Sequence, residues 1–255
     1  MGSLMLSASK IRGTIIDLVI QSKEGHIGSS FSIVEMLIAV HEVAAIMAAS
    51  NTTHFFLSKG HASYAYYALL NEIGELNDSE LSSIGQLGSK WYGHLPFIQR
   101  DSRFQFGSGS LGHGLPFSLG FLYSLRCKGS SDNVVCLIGD GEANEGTFWE
   151  TLLLVNKLRP SGLKIMVDCN QSSERAIPVL TALRGLEVSF PYINFITCDG
   201  HSITEMVSAL KSSGDSVILC ETKKGFPVPF MTGNPVWHHR VPTLEEAEKI
   251  REFLT

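Results

Sequence analysis

The sequence lacks several features that mark particular classes of protein. No apolar run approaches the roughly 18 residues of a membrane-spanning segment, and Met1 to Lys10 has neither the charged nor the apolar region of a signal peptide. Positive charge is in deficit, because 20 Lys and Arg residues stand against 25 Asp and Glu residues, giving a net charge of −5. Binding to nucleic acid or to a membrane is therefore not expected.

Paired cysteines are missing as well. The five cysteines are odd in number and show no Cys-x-x-Cys spacing, and Cys136, Cys169 and Cys220 lie in or beside strand-like runs. Buried, reduced thiols in a cytoplasmic protein are the simplest account. There is no internal repeat or low-complexity tract, so the 255 residues, 44% of them hydrophobic, are expected to form one domain over 1–255.

Alternating strand and helix patterns predict an α/β fold, with a doubly wound, mainly parallel sheet and helices on both faces. Ser32 with Glu35, and Thr147 with Glu150, have the spacing of capping boxes and predict helix starts. The predicted helices cover about 10–22, 32–48, 61–70, 115–127, 147–158 and 203–211, with a short helix after Asn77 and a charged C-terminal helix within 243–255. The predicted strands cover 134–138, 163–167, 193–198 and 217–221.

Two polar residues follow neighbouring predicted strands. Asp140 lies between glycines at the end of one apolar run, and Asn170 closes the next run after one helix-length segment. A strand–helix–strand unit is almost always right-handed with parallel strands, so both residues should emerge at one sheet edge. A carboxylate and an amide oxygen there suit Mg²⁺ with a diphosphate. Taken alone, Gly139-Asp140-Gly141 is also an ordinary turn sequence.

Histidines in glycine contexts form the second informative set. Five of the nine histidines directly follow a glycine, whereas an average glycine usage of about 7% predicts less than one such case. Glycine favours tight loops, where binding residues accumulate, although any single histidine is more often a surface or capping residue. The five are His26, His61, His94, His113 and His201.

Together these motifs resemble a known family. Gly-Asp-Gly followed at a distance by Asn resembles the thiamine diphosphate fingerprint, and the longer block Gly139 to Gly146 is similar to that of transketolase. Further blocks resemble transketolase segments in the same order along the chain. They are Gly25-His26-Ile27-Gly28, Ser58-Lys59-Gly60-His61-Ala62, Gly93-His94, Gly109-Ser110-Leu111-Gly112-His113-Gly114, Thr222-Lys223-Lys224-Gly225 and Trp237-His238. The chain is thus identified as the N-terminal, diphosphate-binding half of a transketolase.

The resemblance implies a thiamine diphosphate site with Mg²⁺ or Ca²⁺. Its metal ligands would be Asp140, Asn170 and the carbonyl of about Ser172. The cofactor-binding residues would be His61, Gly109, Leu111, Gly139, Asp140, Gly141, Glu142 and Asn170. His26, His94 and His238 would line the substrate funnel, binding hydroxyls or moving protons with a pKa near neutrality. Glu145 would link the two cofactors across a subunit interface, although a first-turn Glu is also favoured by the helix dipole.

The resemblance also implies a missing partner. In this superfamily a Glu from a pyrimidine-binding domain activates the cofactor, and the present chain stops at Thr255 without that domain. We therefore expect the small subunit of a split transketolase. It would act on sugar or sugar phosphate substrates together with a separate pyrimidine-domain subunit, in an α2β2 heterotetramer. The alternatives are the α subunit of a 2-oxo acid dehydrogenase and a non-catalytic scaffold subunit.

The sequence departs from the family pattern at two places. Cys169 and the segment 171–175 differ from the usual residues around the third metal ligand, and His239-Arg240 replaces a commoner Gly-Lys or Gly-Ala pair. The added positive charge could meet a phosphate or carboxylate on the substrate. A solvated surface pair is an equally good reading.

Overall fold

The computed structural model of the protein describes residues 6–172 and 179–254. Its five strands are β1 (Thr53–Leu57), β2 (Asn133–Gly139), β3 (Leu163–Cys169), β4 (Ile193–Asp199) and β5 (Asp215–Glu221). Its helices are α1 (Ala8–Ser22), α2 (Ile27–Ser32), α3 (Val34–Met47), α4 (Ser63–Glu72), α5 (Asp78–Ser82), α6 (Gly114–Cys127), α7 (Gly146–Leu158), α8 (Val179–Leu183), α9 (Ile203–Leu210) and α10 (Leu244–Glu252). No helix in these two ranges is both long enough and apolar enough to cross a membrane.

The strands form one parallel sheet in the order β1-β2-β3-β5-β4. Alternate residues of each strand point to opposite faces, so each strand contributes to two apolar layers. Leu137 and Met166 belong to the layer that includes α1, α3, α4 and α9, while Ile138 and Val167 belong to the layer that includes α6 and α7. The predicted doubly wound α/β sheet with helices on both faces is confirmed.

Three of these elements were not predicted from the sequence, namely β1, α2 and the short helix α8. Strand β1 is only five residues long, includes His54, and lies at an edge of the sheet. Helix α2 has the sequence Ile-Gly-Ser-Ser-Phe-Ser, whose Gly and Ser residues have low helix propensity. All six residues of α2 are buried, so tertiary packing rather than propensity stabilises this helix.

Both predicted capping boxes are wrong, although helices begin close to each. Helix α7 begins at Gly146, and Thr147 Oγ1 donates to the Gly112 carbonyl at 2.9 Å. Helix α3 begins at Val34, while Ser32 Oγ donates to Asp168 Oδ2 at 2.9 Å and Glu35 pairs with Arg12. In each case the Ser or Thr side chain that was predicted to cap a helix instead makes a hydrogen bond to a residue distant in sequence.

Candidate active site

The site lies at the carboxyl edge of the sheet, where β2 and β3 end side by side. Gly139 pairs with Asp168 in parallel register, so Asp140 and Asn170 follow neighbouring strand ends, as predicted. Both side chains are largely buried. Asp140 Oδ1 accepts a hydrogen bond from the Gly141 N–H at 2.9 Å.

The orientation of the Asn170 amide is determined by its two neighbours. Its Nδ2 donates to Asp168 Oδ2 at 2.7 Å, and its Oδ1 accepts from the Ser172 N–H at 3.1 Å. Because the amide nitrogen is held by a carboxylate, the oxygen is the atom left to face a cation. The following residues 173–178, which include part of the divergent segment, lie outside the described residues.

A buried ion pair beneath Asn170 was missed by the sequence reasoning. Asp168 is fully buried and accepts hydrogen bonds from Lys59 Nζ, Thr222 Oγ1, Ser32 Oγ and Asn170 Nδ2. Burial alone would raise the pKa of Asp168, but the Lys59 ammonium and these donors hold it below its usual range. The available signal was a carboxylate inside the mostly apolar strand β3.

Glu142 makes three hydrogen bonds within the site. Its Oε1 accepts from Ser58 Oγ at 2.5 Å and from the Gly112 N–H at 3.0 Å, and its Oε2 accepts from the Gly139 N–H at 3.0 Å. The side chain is 1% exposed, and burial raises its pKa. Through these contacts Glu142 joins three loops of the site.

Several glycines leave space where the cofactor is expected. A Cβ added at Gly109 or Gly141 would meet nothing within 4 Å. By contrast, Gly112 has φ +78°, and a Cβ there would lie 2.5 Å from Thr147 Oγ1 and 2.7 Å from Glu145 Cβ. Gly112 thus allows its loop to pack against α7, with the side chains of Leu111 and Glu145 exposed beside it.

Four histidine rings gather around the ring of His26. The ring of His26 lies 5.1 Å from His61, 6.4 Å from His94, 5.4 Å from His238 and 4.6 Å from His239, centroid to centroid. Three expected funnel residues are therefore brought together with His61. His239 was not expected to join them as a ring, although its position was noted as a departure from the family.

The electrostatics of the cluster differ from expectation. Burial, and next the neighbouring His239 and His238, lower the pKa of His26 to about 3. Burial and the Lys224 ammonium also lower the pKa of His238, while burial and the Lys59 ammonium hold the pKa of His61 far below its usual range. The predicted near-neutral pKa is therefore wrong for His26, whose ring is neutral at pH 7, while the pKa of His238 lies below its usual value.

Lys224 connects the histidine cluster to the end of β3. Its Nζ donates to Ser172 Oγ at 3.2 Å and to His238 Nδ1 at 2.5 Å, so the His238 proton resides on Nε2. Burial, and next the Lys59 ammonium, lower the pKa of Lys224 to about 8. A cavity of about 500 Å³ is lined by Asn170, Ser172, Lys224 and His238 among others.

The residues fit a metal diphosphate. In the described ranges no group of three or more His, Cys, Asp and Glu side chains is placed to hold a metal ion by itself. A site with one carboxylate and one amide oxygen suits a hard cation whose other ligands are phosphate oxygens and water. The open backbone at Gly141 and the Lys224 ammonium beside the same cavity suit the diphosphate charge.

Residues 2–195 match the protein family described as 1-deoxy-D-xylulose-5-phosphate synthase, over its N-terminal domain. The chain belongs to this family. Its members share the thiamine diphosphate-dependent superfamily with the transketolases, to which the remaining similarities point. The resemblance inferred from the motifs is thereby confirmed.

Two relatives match nearly the whole chain, and each is named as one subunit of an apulose-4-phosphate transketolase. The protein from Actinobacillus succinogenes is 29% identical, over 97% of this chain and 94% of its own length. The protein from Phocaeicola vulgatus is 26% identical, over 98% of this chain and 93% of its own. Human transketolase is 29% identical over 77% of this chain, but over only 32% of its own length.

Solved transketolase structures share the fold. The Campylobacter jejuni enzyme superposes with a TM-score of 0.81 at 22% identity, and a Pichia stipitis variant with a TM-score of 0.83 at 22% identity. Each covers 97% of this chain, which in turn spans about two-fifths of those structures' chains (42% and 40%). At this identity the similarity establishes the fold of this family member.

Proposed function

We propose that this chain is the diphosphate-binding subunit of a two-subunit transketolase, which transfers a two-carbon ketol unit from a ketose to an aldehyde. The observation that carries the proposal is the single cavity shared by Asn170 and Ser172 from the end of β3, Lys224, and His238 from the histidine cluster. The end-to-end match to two proteins named as subunits of a transketolase supports it.

In this proposal Asp140, Asn170 and the Ser172 carbonyl hold Mg²⁺ or Ca²⁺. Gly139, Gly141, His61 and Lys224 meet the diphosphate, and the main chain of Gly109 and Leu111 meets the rings. Thiamine diphosphate, when bound, supplies the nucleophilic carbon that carries the transferred two-carbon unit. These groups are held in position by the buried side chains of Lys59, Asp168 and Glu142.

The histidines bind and orient the substrate. Neutral His26 offers one donor and one acceptor, which suits the hydroxyls of a ketose. Because His238 Nδ1 accepts from Lys224, its Nε2–H is the group available to a substrate oxygen. His94 forms a further part of the proposed substrate-binding surface. A second cavity of about 270 Å³ lies between His26, His94, His239 and Arg240.

The partner in this proposal is a pyrimidine-domain subunit that contributes the activating Glu, in an α2β2 heterotetramer. Helices α6 and α7 leave large apolar side chains exposed. They are Phe117, Tyr123, Leu153, Leu154 and Leu158. An exposed apolar surface of this kind supports an interface there. The five free cysteines support the cytoplasm as the compartment.

The test is ketol transfer by the chain mixed with its pyrimidine-domain partner, using a panel of ketose donors that includes sugar phosphates. We expect activity from the mixture and none from either protein by itself. Asp140→Ala should lower Mg²⁺-dependent thiamine diphosphate affinity at least tenfold by calorimetry, whereas Asp132→Ala, distant from the site, should not. Unchanged affinity in Asp140→Ala would exclude the metal assignment.

A second candidate is formation of 1-deoxy-D-xylulose 5-phosphate. The description of the matched family favours it. The same reconstituted pair should be assayed for this product in parallel. Ketol transfer without that product supports the first proposal, and the reverse result replaces it.

A further inference from the structure

His201 is a glycine-preceded histidine to which the proposed mechanism assigns no role. It follows β4 at the same edge of the sheet as the active site. Gly200 brings the turn close to the end of β5, because a Cβ at Gly200 would lie 2.3 Å from Thr222 Cγ2. The Gly200 N–H also donates to the Glu221 carbonyl at 2.8 Å. His201 therefore lies directly against the segment that follows β5.

The ring of His201 makes three contacts. Its Nε2 accepts a hydrogen bond from the Lys223 N–H at 2.9 Å, so its proton resides on Nδ1. That Nδ1 lies 3.4 Å from Glu35 Oε2. The ring stacks on Phe226 with 3.9 Å between centroids. One edge and one face of the imidazole thus contact the segment 222–226, while the other edge faces Glu35.

Glu35, which lies beside His201 Nδ1, is itself held in place by Arg12. Arg12 donates from Nη1 and Nη2 to the two oxygens of Glu35, each at 2.7 Å, and both residues are buried. Burial opposes ionisation of Glu35, but His201 and Arg12 hold its pKa below the usual range. A fixed bidentate pair from α1 and α3 therefore supports His201 from behind.

The segment that His201 holds carries two side chains of the proposed site. Thr222 donates to Asp168, and Lys224 donates to Ser172 and His238. Lys223, whose N–H binds His201, lies between them. We propose that His201 is a positioning residue, which holds Thr222 and Lys224 in place for the diphosphate through the Lys223 N–H. This inference rests on the proposed function for the identity of the ligand.

Two variants separate the acceptor from the ring. His201→Phe keeps an aromatic ring for Phe226 but removes the acceptor, whereas His201→Gln offers an acceptor without the ring. His54→Phe is the matched control, because His54 also lies 3.4 Å from a carboxylate, Asp132, and packs on an aromatic ring, yet at the β1 edge of the sheet.

Two measurements are made on the full chain with its partner subunit. Amide hydrogen exchange of Lys223, measured without cofactor, should be about tenfold faster in His201→Phe, as expected for loss of one hydrogen bond. The dissociation constant for Mg²⁺–thiamine diphosphate should rise by about the same factor. His201→Gln should restore both values to within about threefold, and His54→Phe should leave both unchanged.

Each outcome decides the matter. Unchanged Lys223 exchange in His201→Phe, or equal loss of affinity in the Phe and Gln variants, would overturn the acceptor role. Faster exchange with unchanged cofactor affinity would overturn the positioning role. Failure of the unsubstituted protein to bind the cofactor would instead refute the proposed function, and the exchange data would still decide whether His201 holds the segment.

Discussion

The carboxylate of Asp168 has no contact with water, so its charge depends on the single ammonium of Lys59. Removing one partner of a buried ion pair typically costs about 3–5 kcal/mol, because the other charge is left uncompensated. We expect Asp168→Asn to reduce the free energy of unfolding by about this amount in urea denaturation. Lys59→Met combined with Asp168→Asn should recover part of the loss. A cost below about 1 kcal/mol in the single variant would contradict the buried pairing.

The pKa of His26 links the cluster to acid stability. With a pKa of about 3 in the folded state and 6.5 when unfolded, His26 takes up its proton in the unfolded chain first as the pH falls. Stability should therefore decrease as pH falls from 6.5 toward 3. His26→Gln should make unfolding free energy measured by urea titration less dependent on pH in this window. An identical pH dependence in both proteins would show that His26 titrates normally.

Individual residues were predictable where a motif set them beside a strand end, as for Asp140, Asn170 and the histidines around His26. The Lys59–Asp168 pair and the Lys224–His238 contact were not, because each depends on how separate segments of the chain fold together. The pKa values of the histidines depend on burial and on mutual approach, which no local spacing specifies.

At the scale of elements, the loop before α6 and the start of α7 are fitted to each other at Gly112. An alanine there would need a positive φ. Its Cβ would also lie too close to the side chains of Glu145 and Thr147 at the start of α7. We expect Gly112→Ala to lower the melting temperature by several degrees, following a cost of about 1–3 kcal/mol.

Gly120→Ala is the control for that substitution. Gly120 lies within α6, where an added Cβ meets no atom within 4 Å, so alanine should raise stability slightly through helix propensity. If both variants melt at the same temperature, the packing of the Gly112 loop on α7 does not contribute to stability. Calorimetric scans of the two proteins give the comparison directly.

Apolar periodicity predicted whether a segment forms a helix or a strand. The two capping boxes predicted at helix starts do not form. Real capping boxes form at Asn77–Glu80 and Thr243–Glu246, where both side chains face solvent. Ser32 and Thr147 are drawn into tertiary hydrogen bonds instead. A cap motif is thus informative at the surface and ambiguous next to a buried site.

For the whole molecule, the parallel sheet with helices on both faces followed from alternating elements, whereas assembly depends on surfaces that have no sequence signature. Leu154 is 51% exposed on α7, and Ile46 is 56% exposed on α3, which packs on the opposite face of the sheet. We expect Leu154→Arg to weaken, by at least tenfold in analytical ultracentrifugation, the association with the pyrimidine-domain subunit. Ile46→Arg should associate normally, and the reverse pattern would place the interface on the other face.

The pairing of β1 with β2 also has a consequence for the order of folding. Thr53 lies opposite Asn133, so a long stretch of chain must close before the edge strand can join, whereas β2, α7 and β3 are consecutive. His26, Lys59 and His61 precede that closure, and Asp140 and Asn170 follow it. In refolding experiments, recovery of circular dichroism should therefore precede recovery of cofactor binding, because the two halves of the site meet only when the first strand docks.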